Sequence, residues 1–297
     1  MSHRKRRRPK GRANRGERPG SVPNFQRSVD EISADFKRRG IDVTQPGFCD
    51  AAQFVAIERN NPEILHSYAR VVVDQRYDEA YLARATEVIR VVSTALREDL
   101  RRDGTPGACA YIAMRLTRVL DYLGIWNCVF SGSLRASFPL DVARAPFHFP
   151  AVYVDPHQDM ISYHCWVSAP PFRVIDLSVS QQRYQPGISP LLPDIVFATE
   201  PLDRLAAPHE LIDAGSILKL ARKGISPLEF LLQHNPNMFR FVQTFRGSRV
   251  SNGTTDLLYF PTAVNGCTDS IEAIALSDGR TLLDLVESEI RPRLDAP

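Results

Sequence analysis

The stretch from residue 105 to residue 134 reads TPGACAYIAMRLTRVLDYLGIWNCVFSGSL, and it predicts a helix with a cysteine near its start. Apolar side chains after Cys109 recur at steps of three and four residues, which is the period of one helix face. They are Ile112, Leu116, Val119, Leu120 and Leu123. Thr105 can cap this helix, and Pro106 suits its first turn. Gly124 is typical of a helix end.

A strand is predicted directly after this helix, over residues 125–130, with residues 131–133 as its exit. A thiol at the start of a helix lies near unpaired N–H groups and near the positive end of the helix dipole. Both features favour the thiolate of Cys109, which is the nucleophilic form. The alternative is that Cys109 is a small buried side chain, which is the common fate of a free cysteine.

A second stretch, residues 162–178 with the sequence SYHCWVSAPPFRVIDLS, favours the nucleophile. It predicts a hairpin in which the first strand carries His164, a Pro-Pro turn follows, and the second strand ends at Asp176. Together with Cys109, these residues can form a catalytic triad. Cys109 would attack a carbonyl carbon, and His164 would take the thiol proton. Asp176 would hold the imidazole in the useful tautomer.

These motifs, in this order, resemble those of the transglutaminase-like superfamily of papain-like cysteine enzymes. Residues 107–109 (Gly-Ala-Cys) match the nucleophile motif, and residues 123–125 (Leu-Gly-Ile) match the end of its helix. Residues 164–167 (His-Cys-Trp-Val) match the histidine strand, and residues 172–176 (Phe-Arg-Val-Ile-Asp) match the aspartate strand. The resemblance covers roughly residues 80–180, about a third of the chain.

The chain departs from the family pattern outside the triad. Cys165 stands where the family more often has Ala, and Phe172 stands where it often has Trp. Leu177 and Ser178 follow the aspartate, where the family often has Pro-Thr. None of these positions belongs to the predicted triad.

The resemblance implies an α+β fold with a papain-like core, in which N-terminal helices pack on an antiparallel sheet and the nucleophile lies at a helix start. It also implies acyl transfer from an amide or isopeptide bond of a protein or peptide substrate, through a thioacyl intermediate. Members include proteases, amidases, peptide N-glycanases and protein cross-linkers, and the microbial ones are mostly hydrolases, so hydrolysis is favoured. No cofactor and no metal are expected. The family's second oxyanion donor usually lies upstream of the nucleophile, and Gln75, Tyr77 and Tyr81 are the candidates here.

Other residues near the predicted triad have structural interpretations. Because side chains alternate along a strand, Cys165 should point away from His164 and be a buried structural residue rather than a resolving thiol. The same alternation argues against a zinc site made of Cys109, His164 and Cys165. Trp166 is expected to be core packing that shields the His–Asp pair. His148, in a proline-rich loop, can line the cleft or have only a structural role.

Positive charge is concentrated at the start of the chain. Residues 1–18 contain nine Arg or Lys and one acid, so they carry +8, and the rest carries −5 of the net +3. Residues 1–22 have almost no apolar side chains to bury, which predicts a disordered basic arm. Residues 4–18 can bind nucleic acid or another polyanion through phosphate contacts, or can simply be a solubilising tail. The alternative function is therefore a nucleic-acid-associated protein whose body is a binding or regulatory module.

The composition argues against a membrane-spanning, a secreted or a disulfide-rich protein. A chain of 297 residues with 43% hydrophobic residues can bury a sizeable core. There is no run of about 18 apolar residues, so no membrane span is expected. The basic start lacks the apolar region of a secretory signal. The five cysteines are scattered, which predicts neither a disulfide framework nor a zinc site and fits a cytoplasmic protein.

Helical patterns dominate before Cys109 and strand patterns follow residue 125, which is an α+β order. After the first strand, further strands are expected at residues 151–155, 161–167 and 172–176. We divide the chain into the basic arm, a catalytic domain over residues 23–185, and a C-terminal region over residues 186–297. The role of that last region is unknown, and it can pack on the core.

Overall fold

The computed structural model describes residues 27–143, 145–154, 163–253 and 255–296. The predicted basic arm, residues 1–22, lies outside the described residues, and its binding of a polyanion stays a prediction. The fold is a mixture of helices and an antiparallel, nearly closed sheet, which confirms the predicted α+β class. None of the helices in the described ranges is both long enough and apolar enough to cross a membrane.

Five helices precede the sheet. They are α1 (Val29–Arg38), α2 (Ala52–Glu58), α3 (Ile64–Asp74), α4 (Glu79–Asp103) and α5 (Cys109–Tyr122). The longest, α4, begins where the Asp78 carboxylate accepts a 2.7 Å hydrogen bond from the backbone N–H of Tyr81. It ends at Gly104, whose φ of 67° is left-handed and therefore suits glycine.

The start of α5 differs from the prediction. The helix begins at Cys109, and Ala108 occupies the cap position without a side-chain hydrogen bond. Thr105, predicted as the cap, instead donates its hydroxyl to the Asp103 carboxylate at 2.9 Å. Gly107 has a left-handed φ of 76°, which interrupts a helical path from Pro106. The prediction of Thr105 as the cap is therefore wrong.

In the described part of the chain, the sheet has seven strands. They are β1 (Cys128–Ser137), β2 (Phe147–Phe149), β3 (His164–Ala169), β4 (Phe172–Asp176), β5 (Val196–Ala198), β6 (Ser248–Ser251) and β7 (Asp256–Asn265). They lie in the order β5-β4-β3-β1-β7-β6, with β2 paired to the second half of β1. The predicted hairpin of β3 and β4 is present. The two ends of the sheet approach each other where Leu202 N–H donates to the Gly247 carbonyl at 2.8 Å.

β1 is longer than predicted. Residues 131–133, expected to be the exit of the strand, lie in its middle and pair with β3 and β7. A Cβ atom at Gly132 would lie only 2.1 Å from the Phe260 carbonyl oxygen, so glycine is required for β7 to approach. The register of the pairing also shifts at this point. The glycine marks a close strand contact rather than the end of a strand.

The segment after β1 also differs from the prediction. A strand was expected over residues 151–155, but Val152 makes only an isolated parallel bridge with Ile212. Residue 155 lies outside the described residues. The strand that does form is β2, inside the predicted proline-rich loop.

The C-terminal region belongs to the same sheet as the residues before it, because it supplies β5, β6 and β7. It also contains α6 (Pro208–Leu211), α7 (Ala214–Arg222), α8 (Pro227–His234) and α9 (Pro236–Thr244). The last described part of the region is one helical run of α10 (Leu282–Leu285), a π-helical stretch (Val286–Ile290) and α11 (Arg291–Leu294).

Buried apolar side chains cover both faces of the sheet. On one face, α4, α5 and the last helical run pack against Cys165, Val167 and Ile175. On the other face, α1, α2, α3 and α9 pack against the neighbours of these residues, Trp166 and Val174. The sheet therefore separates the nucleophile helix from the first three helices.

Candidate active site

Cys109 is the first residue of α5, and its side chain is 9% exposed. The first hydrogen bond within this helix joins Ile112 N–H to the Ala108 carbonyl at 2.9 Å. The N–H group of Cys109 therefore has no acceptor within the helix and points toward the positive end of the dipole. This position stabilises a thiolate and leaves a backbone donor beside it.

The structure brings His164 and Asp176 into direct contact. His164 is the first residue of β3 and Asp176 the last of β4, so both lie at the same end of the hairpin. The His164 Nε2 atom lies 2.7 Å from Asp176 Oδ2, and both side chains are buried. An ionised carboxylate can only accept a hydrogen bond, so Nε2 carries the proton and Nδ1 remains for the thiol. Nδ1 is buried without a hydrogen-bond partner in the described part of the chain.

Asp176 is held by four hydrogen bonds. Its Oδ2 atom accepts from His164 and from the Tyr259 hydroxyl, the latter at 2.9 Å. Its Oδ1 atom accepts from Ser178 twice, from the backbone N–H at 2.8 Å and from the hydroxyl at 2.9 Å. A buried carboxylate with this many donors is fixed in position and stays ionised.

Sequence reasoning missed two of these supporting residues. The bond from Ser178 N–H to the carboxylate two residues earlier is an Asx turn, so the Asp-Leu-Ser spacing contained a usable signal. Tyr259 lies on β7, 83 residues from Asp176, and no local pattern connects the two. Trp166 was expected to shield the pair and is confirmed as buried, with its ring stacked 6.4 Å from that of His164.

Cys109 lies on the face of the sheet that carries Cys165. α5 packs on the face of Cys165, so the Cys109 thiol lies within hydrogen-bonding reach of the Cys165 thiol and backbone N–H. The charge of the His164 imidazole also acts on the Cys109 thiol, although Nδ1 has no hydrogen-bond partner among the described residues. Cys165 does point away from His164, as predicted. Its predicted burial is confirmed, and the helix that begins at Cys109 covers its face.

The charges at this site favour an ion pair. The hydrogen bond from the Cys165 thiol and the contact with His164 outweigh burial and hold the pKa of Cys109 well below its ordinary value. Burial alone would lower the pKa of His164, but the charge and hydrogen bond of Asp176 raise it overall. Burial opposes ionisation of Asp176, yet His164 and the donors on the carboxylate lower its pKa. At neutral pH the arrangement favours a thiolate, an imidazolium and a carboxylate.

The three predicted oxyanion donors lie at the wrong end of α5. The Tyr81 hydroxyl accepts from Trp126 N–H at 2.8 Å, beyond the last residue of the helix. Tyr77 stacks on Tyr81, and Gln75 donates to Tyr77. Because a helix of 14 residues is about 20 Å long, none of these groups can reach Cys109. That prediction is wrong, because residues upstream of Cys109 in the sequence do not lie near its thiol in the fold.

The proline-rich loop contributes Phe149 rather than His148 to the site. The Phe149 ring lies 5.9 Å from the imidazole of His164. His148 Nε2 lies 2.9 Å from the Ser133 hydroxyl and 3.0 Å from the Glu210 carbonyl, so it links β2 to the start of α6. Burial lowers the pKa of His148 and favours its neutral form. Its contacts fit a structural role.

The segment after Asp176 crosses to the nucleophile. We call residues 178–184 the strap. Ser178 binds the Asp176 carboxylate at one end, and the Gln181 carbonyl accepts a 2.9 Å hydrogen bond from the N–H of Gly107. Tyr184 closes the strap, and its ring packs against that of Phe149 at 6.0 Å. The strap connects the triad carboxylate with the loop that precedes Cys109.

In the described part of the chain, no group of three or more His, Cys, Asp or Glu side chains is arranged to hold a metal ion. All five cysteines are free thiols.

No protein-family model, no curated protein and no solved structure matches this chain.

Proposed function

We propose that this protein is a cysteine-dependent acyl-transfer enzyme, acting as a hydrolase on amide or isopeptide bonds of a protein or peptide. The observation that carries the proposal is the buried 2.7 Å contact between His164 and Asp176, with Cys109 at the start of the helix that packs on the same hairpin. Their order along the chain is the one that resembles the transglutaminase-like superfamily. A thiol with a lowered pKa beside a His–Asp pair is the arrangement that nucleophilic catalysis by cysteine requires.

In the proposed reaction, the Cys109 thiolate attacks the carbonyl carbon and forms an S–C bond, while the carbonyl π electrons move to oxygen. As the oxyanion collapses, the C–N bond breaks and the His164 imidazolium gives its proton to the leaving amine. Water, deprotonated by His164, then attacks the thioester and releases the acid and the Cys109 thiol. Asp176 stays ionised throughout and stabilises the charged imidazole.

The first test is selective alkylation with iodoacetamide at pH 6, with each modified cysteine located by mass spectrometry. A thiol with an ordinary pKa of about 8.5 is only about 0.3% thiolate at this pH. Cys267 is an internal control, because its exposure of 8% matches the 9% of Cys109 while burial raises its pKa. We expect Cys109 to react at least about ten times faster than Cys267, and His164→Ala to remove the difference.

The second test is acylation by p-nitrophenyl acetate, which needs no knowledge of the natural substrate. We expect a burst of p-nitrophenol and an acetyl group on Cys109, both absent in Cys109→Ala. Equal labelling of Cys109 and Cys267, together with no burst, would contradict the proposed function.

A further inference from the structure

The Tyr184 hydroxyl is buried and has no hydrogen-bond partner among the described residues. Buried hydroxyl groups in proteins are nearly always paired, so an unpaired one calls for an explanation, of which a catalytic role is one. Ring contacts hold Tyr184 in position although its hydroxyl is unpaired within the described ranges. Its ring packs edge-on against Phe147 at 5.2 Å and Phe149 at 6.0 Å.

Two contacts and an electrostatic effect connect Tyr184 with the candidate site. Phe149, which it touches, lies 5.9 Å from the His164 ring. The strap that carries Tyr184 is bonded through the Gln181 carbonyl to Gly107, two residues before the nucleophile. The hydroxyl is also within electrostatic range of both Cys109 and Asp176, because burial and then these two negative groups raise the pKa of Tyr184.

A hydroxyl in these surroundings is a donor. With a raised pKa it keeps its proton throughout the neutral range, and it has no acceptor in the resting protein. Negative charge develops at the carbonyl oxygen when a thiolate attacks, and a fixed donor stabilises this charge most when water is excluded. The N–H of Cys109 is one such donor, and a single donor leaves the other lone pair of the oxyanion unpaired.

We propose that the Tyr184 hydroxyl is the second donor of the oxyanion hole, and that it binds the carbonyl oxygen of the acyl group together with the N–H of Cys109. This inference rests on the proposed function. It assigns to the strap the role that sequence reasoning gave to Gln75, Tyr77 and Tyr81.

The test compares two reactions of the same thiol in Tyr184→Phe. Acylation of Cys109 by p-nitrophenyl acetate passes through a tetrahedral oxyanion, whereas alkylation by iodoacetamide displaces iodide and forms none. We expect the acylation rate to fall by about 10²-fold, the usual effect of removing one oxyanion donor. The alkylation rate should stay within about twofold of the wild type, because the thiolate itself is unchanged.

Tyr163→Phe is the matched control. Tyr163 is 41% exposed, and partial burial, then the charges of Cys165 and Cys109, raise its pKa. Removal of its hydroxyl should leave both rates unchanged.

The outcomes separate the two proposals. If p-nitrophenyl acetate acylates Cys109 at the same rate in Tyr184→Phe and in the wild type, Tyr184 is not the donor and the proposed function stands. If acylation and alkylation fall by the same factor, Tyr184 acts on the thiolate and the oxyanion assignment is overturned. If the wild type is acylated no faster than Cys109→Ala, both proposals fail.

Discussion

The backbone N–H of Gly107 donates a 2.9 Å hydrogen bond to the carbonyl oxygen of Gln181, and this bond joins the loop before Cys109 to the strap after Asp176. The two residues are far apart in the sequence. Because the strap is also bonded to Asp176 through Ser178, the positions of the thiol and the carboxylate are mechanically linked. The geometry of the candidate site thus depends on backbone contacts as well as on the triad side chains.

Cys165→Ala should raise the pKa of Cys109, because the Cys165 thiol is the strongest donor to the Cys109 thiolate. The rate of alkylation by iodoacetamide should therefore fall several-fold at pH 5.5 and stay unchanged at pH 9, where both proteins hold the thiolate. The measurement is the rate across this pH range. Cys128→Ala, which removes another buried thiol from the opposite face of the sheet, is the control. Superimposable profiles for Cys165→Ala and wild type would show that the donor has no effect.

Asp176→Asn should destabilise the protein by about 3–5 kcal/mol, since it leaves a buried imidazolium without its anion. Tyr259→Phe removes only one hydrogen bond to the same carboxylate and should cost about 1.5–3 kcal/mol. Urea unfolding at pH 6 gives both free energies of unfolding. Equal losses in the two variants would mean that the ion pair itself contributes little.

The pH dependence of the Asp176→Asn effect follows from two shifts of opposite sign. Folding lowers the pKa of Asp176. Its contribution to the free energy of unfolding is therefore complete above the unfolded pKa of about 3.9 and is lost as the pH falls through the folded pKa. Folding raises the pKa of His164. Its contribution to the free energy of unfolding is therefore complete below the unfolded pKa of about 6.5 and is lost as the pH rises through the folded pKa. The difference between wild type and variant should be largest between about pH 4 and pH 6.5.

Asp99 and Arg115 form a buried ion pair between α4 and the nucleophile helix, with a 2.8 Å bond between Asp99 Oδ2 and Arg115 Nη1. Arg115 also donates to the Ala275 carbonyl at 2.8 Å and so links α5 to the C-terminal region. Asp99→Leu alone should cost about 3–5 kcal/mol, because the guanidinium stays buried without its partner. The double variant Asp99→Leu, Arg115→Met should recover most of this free energy of unfolding. A double variant as unstable as the single one would contradict this account.

Asp121 should make the protein less stable as the pH rises toward 7. Burial raises its pKa to about 7, and the charge of Asp50 adds to this effect while Arg118 opposes it. The folded state therefore holds a proton that the unfolded state releases near pH 3.9, and ionisation of the buried carboxyl between about pH 4 and pH 7 costs stability. In Asp121→Asn this cost disappears, so its free energy of unfolding relative to wild type should rise across that window. Urea unfolding at pH 4.5 and pH 7 measures the change, and the exposed Asp30→Asn is the control.

Helical and strand periods predicted the elements that carry the triad. α5, β3 and β4 lie close to their expected positions because each has a local apolar pattern and a local turn signal. The hairpin also made the contact between His164 and Asp176 foreseeable, since a Pro-Pro turn brings the ends of adjacent strands together. The order of the three motifs was enough to propose a site.

Local patterns failed where a residue's role depends on a distant partner. Gly132 was interpreted as a strand exit because glycine breaks strands, but its role is to let the Phe260 carbonyl approach. Cys165 was placed on the correct face of β3, yet strand alternation does not say which helix covers that face. Gln75, Tyr77 and Tyr81 precede the nucleophile in the sequence but lie at the far end of its helix.

By itself, the sequence determined the α+β class, the cysteine at a helix start and the pairing of a histidine with an aspartate across a hairpin. These depend on backbone propensity, apolar periodicity and turn chemistry, all of which act over a few residues. Only the tertiary structure decided that Tyr259 binds the Asp176 carboxylate, that α5 covers the face of Cys165 and that Tyr184 packs against Phe149. These contacts depend on how the sheet and helices pack, and packing joins residues whose separation along the chain leaves no local pattern.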